Sequence, residues 1–208
     1  MYLSEYKEIT KNSYERTAQD FADKVSALAP KESIERFTNN LPPNPKILDI
    51  GCGSGRDALL FSNKGASVVG IDFCPAMIEI AQKQAPLAEF HLMDMDALDF
   101  AKDSFDGVWA ACSLNHLSKQ ALPQVLNSVY QLLKEKGCFY LTFKQGSGEV
   151  LEQYARYNGE IKKFWSFYEE EELLSLLEQA SFKILSCDLI EKTHSYHTHA
   201  AFRIFCQK

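Results

Sequence analysis

The stretch Lys46-Ile47-Leu48-Asp49-Ile50-Gly51-Cys52-Gly53-Ser54-Gly55-Arg56 decides the fold. After Lys46 its residues form a short apolar run broken by one carboxylate, as in a strand buried within a parallel sheet. Three glycines at alternate positions follow. A helical period then runs from about Arg56 to Lys64, with Gly65 where a C-terminal cap belongs. Glycine has no Cβ, so such a loop lets the main chain approach a ligand closely. A helix starting directly after it offers unpaired N–H groups. Strand, loop and helix together predict a nucleotide-type pocket at the carboxyl end of a sheet.

Outward from this core the pattern repeats. A second strand is predicted at Ser67 to Ile71, ending at Asp72. Pro75 suits the first turn of the next helix, whose apolar positions are Met77, Ile78, Ile80 and Ala81. Further strands are expected at Glu89 to Met93, Gly107 to Cys112 and Cys138 to Phe143. Leu122, Val125, Leu126, Val129, Leu132 and Leu133 follow helical spacing, with Gly137 ending that helix. Gln145 to Lys163 is polar and glycine-bearing and reads as an excursion. A last helix carries Leu173, Leu176, Leu177 and Ala180. Lys183 to Ile190 and Ala200 to Cys206 have no helix between them and should pair as an antiparallel hairpin. Upstream, Tyr14, Ala18, Phe21, Ala22 and Val25 mark one helix face, Lys31 to Phe37 a second short helix, and Leu41-Pro42-Pro43-Asn44-Pro45 a break. The alternation predicts an α/β fold, a Rossmann-like three-layer sandwich. Its seven-stranded sheet is mostly parallel with an antiparallel last strand. One domain should span 1–208, with a helical cap over 1–40 and a core over 46–208 that includes an excursion at 145–167.

The bulk composition narrows the function classes. The chain has 208 residues and a formal net charge of −6. It shows no basic stripe of the kind that grips a phosphate backbone, so nucleic acid is not an expected partner. The charged N-terminus does not read as a secretory leader, so none is expected, and no apolar run reaches the roughly 18 residues of a membrane helix. The six cysteines are scattered and read as reduced thiols in a cytoplasmic protein. No metal site is expected.

Asp72 stands twenty-three residues after Asp49, where a carboxylate can accept both ribose hydroxyls of an adenosine; it can also cap the following helix. Asp94, past the third strand, can accept from an adenine amino group. Met95 or Met77 could cover the adenine face, or simply fill core. Asp72 suits both a nicotinamide dinucleotide and S-adenosylmethionine (AdoMet), so the loop has to decide. A dinucleotide fingerprint is G-x-G-x-x-G, whereas this loop reads G-x-G-x-G. Asp49 lies two residues before the first glycine. Beside a pyrophosphate its carboxylate would be repelled; beside the ammonium of a methionine moiety it would be attracted. The residues therefore favour AdoMet.

With these motifs the chain resembles the class I AdoMet-dependent methyltransferases. The likeness runs from Lys46 to Lys208. It rests on Ile47 to Asp57, on Val69-Gly70-Ile71-Asp72 with Pro75-Ala76-Met77-Ile78, on Phe105-Asp106-Gly107-Val108-Trp109, and on Leu132-Leu133-Lys134 before Gly137. Tyr14 to Ala18 resembles the family's leading helix. The resemblance implies that Asp49, Gly51, Gly53 and Gly55 hold the methionine part and Asp72 the ribose. It places Asp94 and Met95 at the adenine, with Phe73 and Met77 in the same cofactor set. Cys112 would meet the methionine part through its backbone, and Tyr14 would close the site. It also places strand seven between strands five and six. Two positions depart from the family. Cys74 stands where Ser often caps a helix. Ser181 stands where Gly is usual, at a cost of about 1 kcal/mol if it is left-handed.

Methyl transfer needs a positioned acceptor, and a base only if the acceptor must lose a proton. His116, after the fourth strand, is the candidate base; a structural histidine is the plainer alternative. His194, His197 and His199 read as an exposed polar turn, and Glu169 to Glu172 as a favourable helix start. Tyr154, Tyr157, Phe164, Trp165 and Phe167 could wall an acceptor pocket or pack the excursion down. No Asn-Pro-Pro-Tyr type motif points to amino groups on bases or glutamine. The expected function is methyl transfer to a small molecule. The alternatives are a non-catalytic AdoMet-binding subunit and, further off, a nicotinamide-dependent oxidoreductase.

Overall fold

A computed structural model describes residues 3–157, 159–192 and 198–208. Seven strands form one sheet: β1 (Lys46–Ile50), β2 (Ser67–Asp72), β3 (Glu89–Leu92), β4 (Phe105–Ala110), β5 (Leu133–Lys144), β8 (Lys183–Ile190) and β9 (Ala201–Gln207). Their order is β3-β2-β1-β4-β5-β9-β8. The first five run parallel, and β9 lies antiparallel between β5 and β8. The strand order reverses between β1 and β4, so a crevice opens beyond their carboxyl ends. The glycine loop and Cys112 both emerge there.

Among the described residues there are six α-helices: α1 (Leu3–Val25), α2 (Lys31–Thr38), α3 (Arg56–Ser62), α4 (Pro75–Gln84), α5 (Leu122–Leu132) and α6 (Glu170–Gln179). The two-residue period of β1 splits its side chains between two cores. Leu48 and Ile50 join Val108 and Leu141 against Val125, Leu126 and Val129 of α5 and Leu173 and Leu177 of α6. Ile47 faces the opposite side, with Phe37, Phe61, Trp109, Tyr140 and Phe205. Burying each such Leu or Ile contributes about 1.5–3 kcal/mol. Asp49 shares the face of Ile47 at the end of its strand, so the sheet's own alternation aims the carboxylate toward the crevice mouth.

Three local expectations change. Gly137 does not end a helix. Leu133 is already extended and opens β5, and Gly137 lies at an irregularity where pairing with β4 slips from Phe105↔Leu133 to Gly107↔Cys138. A Cβ at Gly137 would stand 2.8 Å from the Lys134 carbonyl oxygen, and Lys136 beside it has φ +63°. The excursion is not irregular throughout: β6 (Glu149–Gln153) and β7 (Lys162–Ser166) pair antiparallel as a separate ribbon. Polar residues hid this strand, because β7 buries Lys163 and Ser166 along with its aromatics. The leading helix α1 is also longer than its apolar face suggested, at 23 residues. Ser181 adopts φ +70°, and the N–H of Phe182 donates to Leu177 O as the chain leaves α6. Among the described residues, no helix is long and apolar enough to cross a membrane.

Candidate functional site

The loop after β1 is fixed mostly by its own neighbours. The N–H groups of Gly51 and Cys52 both donate to Ile71 O, at 2.8 and 2.9 Å. Gly53 N–H donates to Asp72 Oδ2 at 3.0 Å, and Gly55 N–H to Cys52 O. Gly51 has φ +69°, and a Cβ there would meet Ser113 Cβ at 2.4 Å, so the strand-four turn presses directly on the loop. Gly55 (φ +78°) caps α3, and its Cβ would meet Ala81 of α4 at 3.0 Å. Gly51 and Gly53 line a cavity of about 700 Å³; Gly55 does not, and serves helix packing instead. That volume falls within the range of small-molecule sites.

Asp49 lines this cavity and is 3% exposed. Burial pushes its carboxyl well above the usual range; Asp57 and Asp72 push the same way, and Arg56 only partly opposes them. The guanidinium of Arg56 is engaged elsewhere. Its Nε and Nη2 donate to Asp57 at 2.7 and 3.0 Å, and its Nη1 to the carbonyls of Val25 and Leu28. Trp109 Nε1 also donates to Asp57, at 3.0 Å. Asp57 is thus satisfied, whereas Asp49 Oδ2 has no hydrogen-bond partner among the described residues. A buried carboxylate oxygen without a partner is costly unless something cationic meets it. The ammonium of an amino acid moiety has that chemistry.

Asp72 also lines the cavity. Its Oδ1 accepts the N–H of Cys74 at 2.9 Å and its Oδ2 that of Gly53, so it shapes the turn into α4 while keeping lone pairs for a ligand. Burial pushes its carboxyl up to about 6, against the opposing backbone N–H groups and with a contribution from Glu15. Cys74 is the N-cap residue and makes no side-chain cap; its Sγ reaches Glu15 of α1 at 3.5 Å. Phe73, Met77 and Met95 line the cavity, joined by Met93. Asp94 is not among the lining residues. Its Oδ2 accepts Lys7 Nζ of α1 at 2.8 Å, and the same ammonium also contacts Asp96. Cys112 faces the cavity with φ +55°, its N–H donating to Thr142 Oγ1 at 2.8 Å.

The roof joins two expected residues that sequence spacing could not connect. Tyr14 Oη lies 2.9 Å from His116 Nε2, and His116 Nδ1 lies 2.7 Å from Phe164 O. A carbonyl can only accept, so Nδ1 carries the proton and Nε2 accepts from the tyrosine. Burial, reinforced by Lys163 and Lys144, pushes His116 down to about 3, although the bond to Phe164 opposes it. The same pattern continues along the outer edge of β7. Lys162 N–H donates to Ser13 Oγ, which donates back to Lys162 O. Phe164 N–H donates to Thr10 Oγ1, and Asn115 Nδ2 donates to Ser166 O. Hydroxyl, imidazole and amide side chains thus complete an edge that another strand would otherwise pair.

Of the aromatic residues in the excursion, Tyr154 and Trp165 line the cavity, whereas Phe164 packs on Tyr6 with ring centres 4.1 Å apart. Phe167 is buried, and Tyr157 donates its hydroxyl to Asp20 of α1. His199 lines the cavity; His194 and His197 lie outside the described residues. Glu170, Glu171 and Glu172 occupy the first turn of α6. Among the cavity residues that escaped the sequence reading are two cations, Lys144 and Lys163. The sequence signal for Lys144 is its place as the last residue of an apolar central strand, at the ligand-bearing end of the sheet.

A family model described as a methyltransferase domain matches residues 47–137. The chain is 25% identical over 192 residues to YqeM of Bacillus subtilis, a protein named for a candidate methyltransferase activity. That match covers 88% of this chain and 78% of the relative. Among solved structures it is similar to a SAM-dependent methyltransferase from Methanosarcina mazei. The TM-score is 0.75 at 26% identity, covering 82% of this chain and 95% of the other. The 1,6-didemethyltoxoflavin-N1-methyltransferase of Burkholderia thailandensis, with 1,6-didemethyltoxoflavin and S-adenosylhomocysteine bound, has the same fold. Its TM-score is 0.77 at 22% identity, covering all of this chain and 91% of that one.

Proposed function

The chain belongs to the class I AdoMet-dependent methyltransferases, and from that premise we propose that it methylates a small molecule enclosed beneath α1 and the β6–β7 ribbon. AdoMet is the cofactor, and when bound it supplies an electrophilic methyl group on a sulfonium. Asp49 is assigned to its ammonium, Asp72 to its ribose hydroxyls, and Phe73, Met77, Met93 and Met95 to the walls of its base. Gly51, Gly53 and Cys112 border the amino acid part, Gly55 holds α3 against α4, and Tyr14 covers the site. Asp94 acts through Lys7, tying α1 down beside the adenine end.

The observation that carries the small-molecule reading is the bonded roof. Ser13, Thr10, Asn115 and His116 tie β7 to α1 and to the turn after β4. A large polymer would have to displace that whole set of bonds. His116 is assigned a positioning role, because its one free-electron nitrogen already accepts from Tyr14 and its pKa lies far below neutrality. The protein's contribution is then alignment of the acceptor and exclusion of water. Release of S-adenosylhomocysteine is the test, using the dialysable and the retained fractions of a cell extract. Turnover is expected with the dialysable fraction; turnover confined to the retained macromolecules would overturn the reading.

A further inference from the structure

Building on the reading that a small acceptor binds beneath α1 and the β6–β7 ribbon, we propose that this acceptor is a planar molecule bearing an oxyanion, and that Lys144 is the residue that selects it. Lys144 ends β5 and reaches into the cavity with its side chain 13% exposed. Its Nζ lies 3.3 Å from the Trp165 ring centre and donates to Thr198 Oγ1 at 3.0 Å. Among the described residues its one ion pair is with Glu152, at 3.9 Å. A largely buried ammonium with so distant a counter-charge is costly, and a bound oxyanion would offset that cost. Burial pushes its pKa down to about 8, so it still carries its proton at neutral pH.

The electrostatic surroundings point the same way. Lys163 of β7 is 3% exposed, lines the same cavity and holds its Nζ 3.5 Å from the Tyr14 ring centre. Both ammonium groups push His116 down, so their fields overlap at this end of the cavity. The acidic residues of the lining are Glu152, the exposed Glu191, and Asp49, Asp57 and Asp72, of which Asp49 and Asp72 are assigned to the cofactor. A cofactor sulfonium adds a third positive charge. A cationic acceptor would enter against like charge, and a neutral one would leave Lys144 with only the counter-charge of Glu152 at 3.9 Å. Tyr14, Tyr154 and Trp165 supply flat aromatic walls suited to a ring. An acceptor that arrives ionised also needs no base, which matches the assignment of His116 to positioning.

Calorimetry on the full chain saturated with S-adenosylhomocysteine tests the proposal, with four probes of one shape: 2-naphthoate, 2-naphthalenesulfonate, 2-naphthamide and 2-naphthylmethylammonium. At neutral pH the two oxyanions should bind at least about tenfold tighter than the amide, and the ammonium weakest. Lys144→Met should erase most of that preference and Lys144→Arg should keep it, both with S-adenosylhomocysteine affinity within about twofold of wild type. Equal binding of amide and carboxylate, tighter binding of the ammonium, no binding of any probe, or an undiminished preference in Lys144→Met would overturn the proposal. Failure of S-adenosylhomocysteine itself to bind would instead strike the cofactor assignment beneath it.

Discussion

Replacing Asp49 by Asn should move stability and affinity in opposite directions. The unliganded protein holds a carboxylate that is almost fully buried and has one oxygen without a partner. Its pKa is raised well above normal, chiefly by burial, which means that the charged form is disfavoured there. Asn keeps the shape and removes the charge. We expect the unliganded variant to be at least as stable as wild type, with a gain on the order of 1 kcal/mol, the lower end for a buried unsatisfied group. For a chain of this length that is roughly 2–4 °C in Tm. In the complex the same change breaks a buried ion pair, which costs about 3–5 kcal/mol. Because the amide oxygen can still accept one bond, the low end applies, a loss of roughly 100-fold in AdoMet affinity. AdoMet at 100 times the wild-type Kd stabilises wild type by about 2.7 kcal/mol and would stabilise the variant by only about 0.4 kcal/mol. Calorimetric titration and thermal melts with and without ligand read both quantities. A variant that binds within about threefold of wild type would refute the assignment of Asp49. So would one that loses more than about 1 kcal/mol without ligand, since that would make Asp49 a structural anchor.

Other outcomes follow from the same geometry. Asp72 is held near 6 by burial, above its ordinary 3.8. AdoMet affinity, which uses the ionised form, should fall as pH drops below about 6, and Asp72→Asn should remove the share of that dependence that Asp72 carries, leaving the share of the likewise raised Asp49. The unliganded native state holds the extra proton between about pH 4 and 6, so this carboxyl's contribution to stability is lost as pH rises through that window; a flat affinity profile down to pH 5 would contradict the assignment. Gly51→Ala should lose AdoMet binding, because φ +69° costs about 1–2 kcal/mol for a residue with a Cβ and that Cβ would collide with Ser113. Adding Ser113→Gly should restore part of it, and wild-type binding by Gly51→Ala alone would count against this reading of the loop. Tyr14→Phe and His116→Asn should give equal, non-additive losses in kcat/KM, with no histidine limb between pH 5 and 8. A limb near 6.5 that disappears in His116→Asn would restore His116 as a base.

The sheet was legible because its signals are local. Asp49, the glycines and Asp72 sit at strand ends that alternation fixes, and the pairing of β8 with β9 followed from the missing helix between them. The roof was not legible. β7 reads Lys-Lys-Phe-Trp-Ser, and its outer edge is completed by hydroxyls from a helix about 150 residues earlier, which no period or spacing records. Asp94 was placed correctly along the chain, but its side chain points to Lys7, a partner 87 residues away. Gly137 looked like a helix stop because glycine serves caps and strand irregularities equally well. Lys144 was visible only as the polar end of an apolar run. Its meaning depends on Trp165 and Lys163, which the fold brings to it.

A crystal structure with S-adenosylhomocysteine bound tests the cofactor assignment most directly. Its amino nitrogen should lie about 2.7–2.9 Å from Asp49 Oδ2, the spacing of a charge-assisted hydrogen bond, with the ribose hydroxyls on Asp72. An amino group pointing away from a still unpartnered Asp49, or a nucleotide diphosphate seated over residues 51–55, would contradict it.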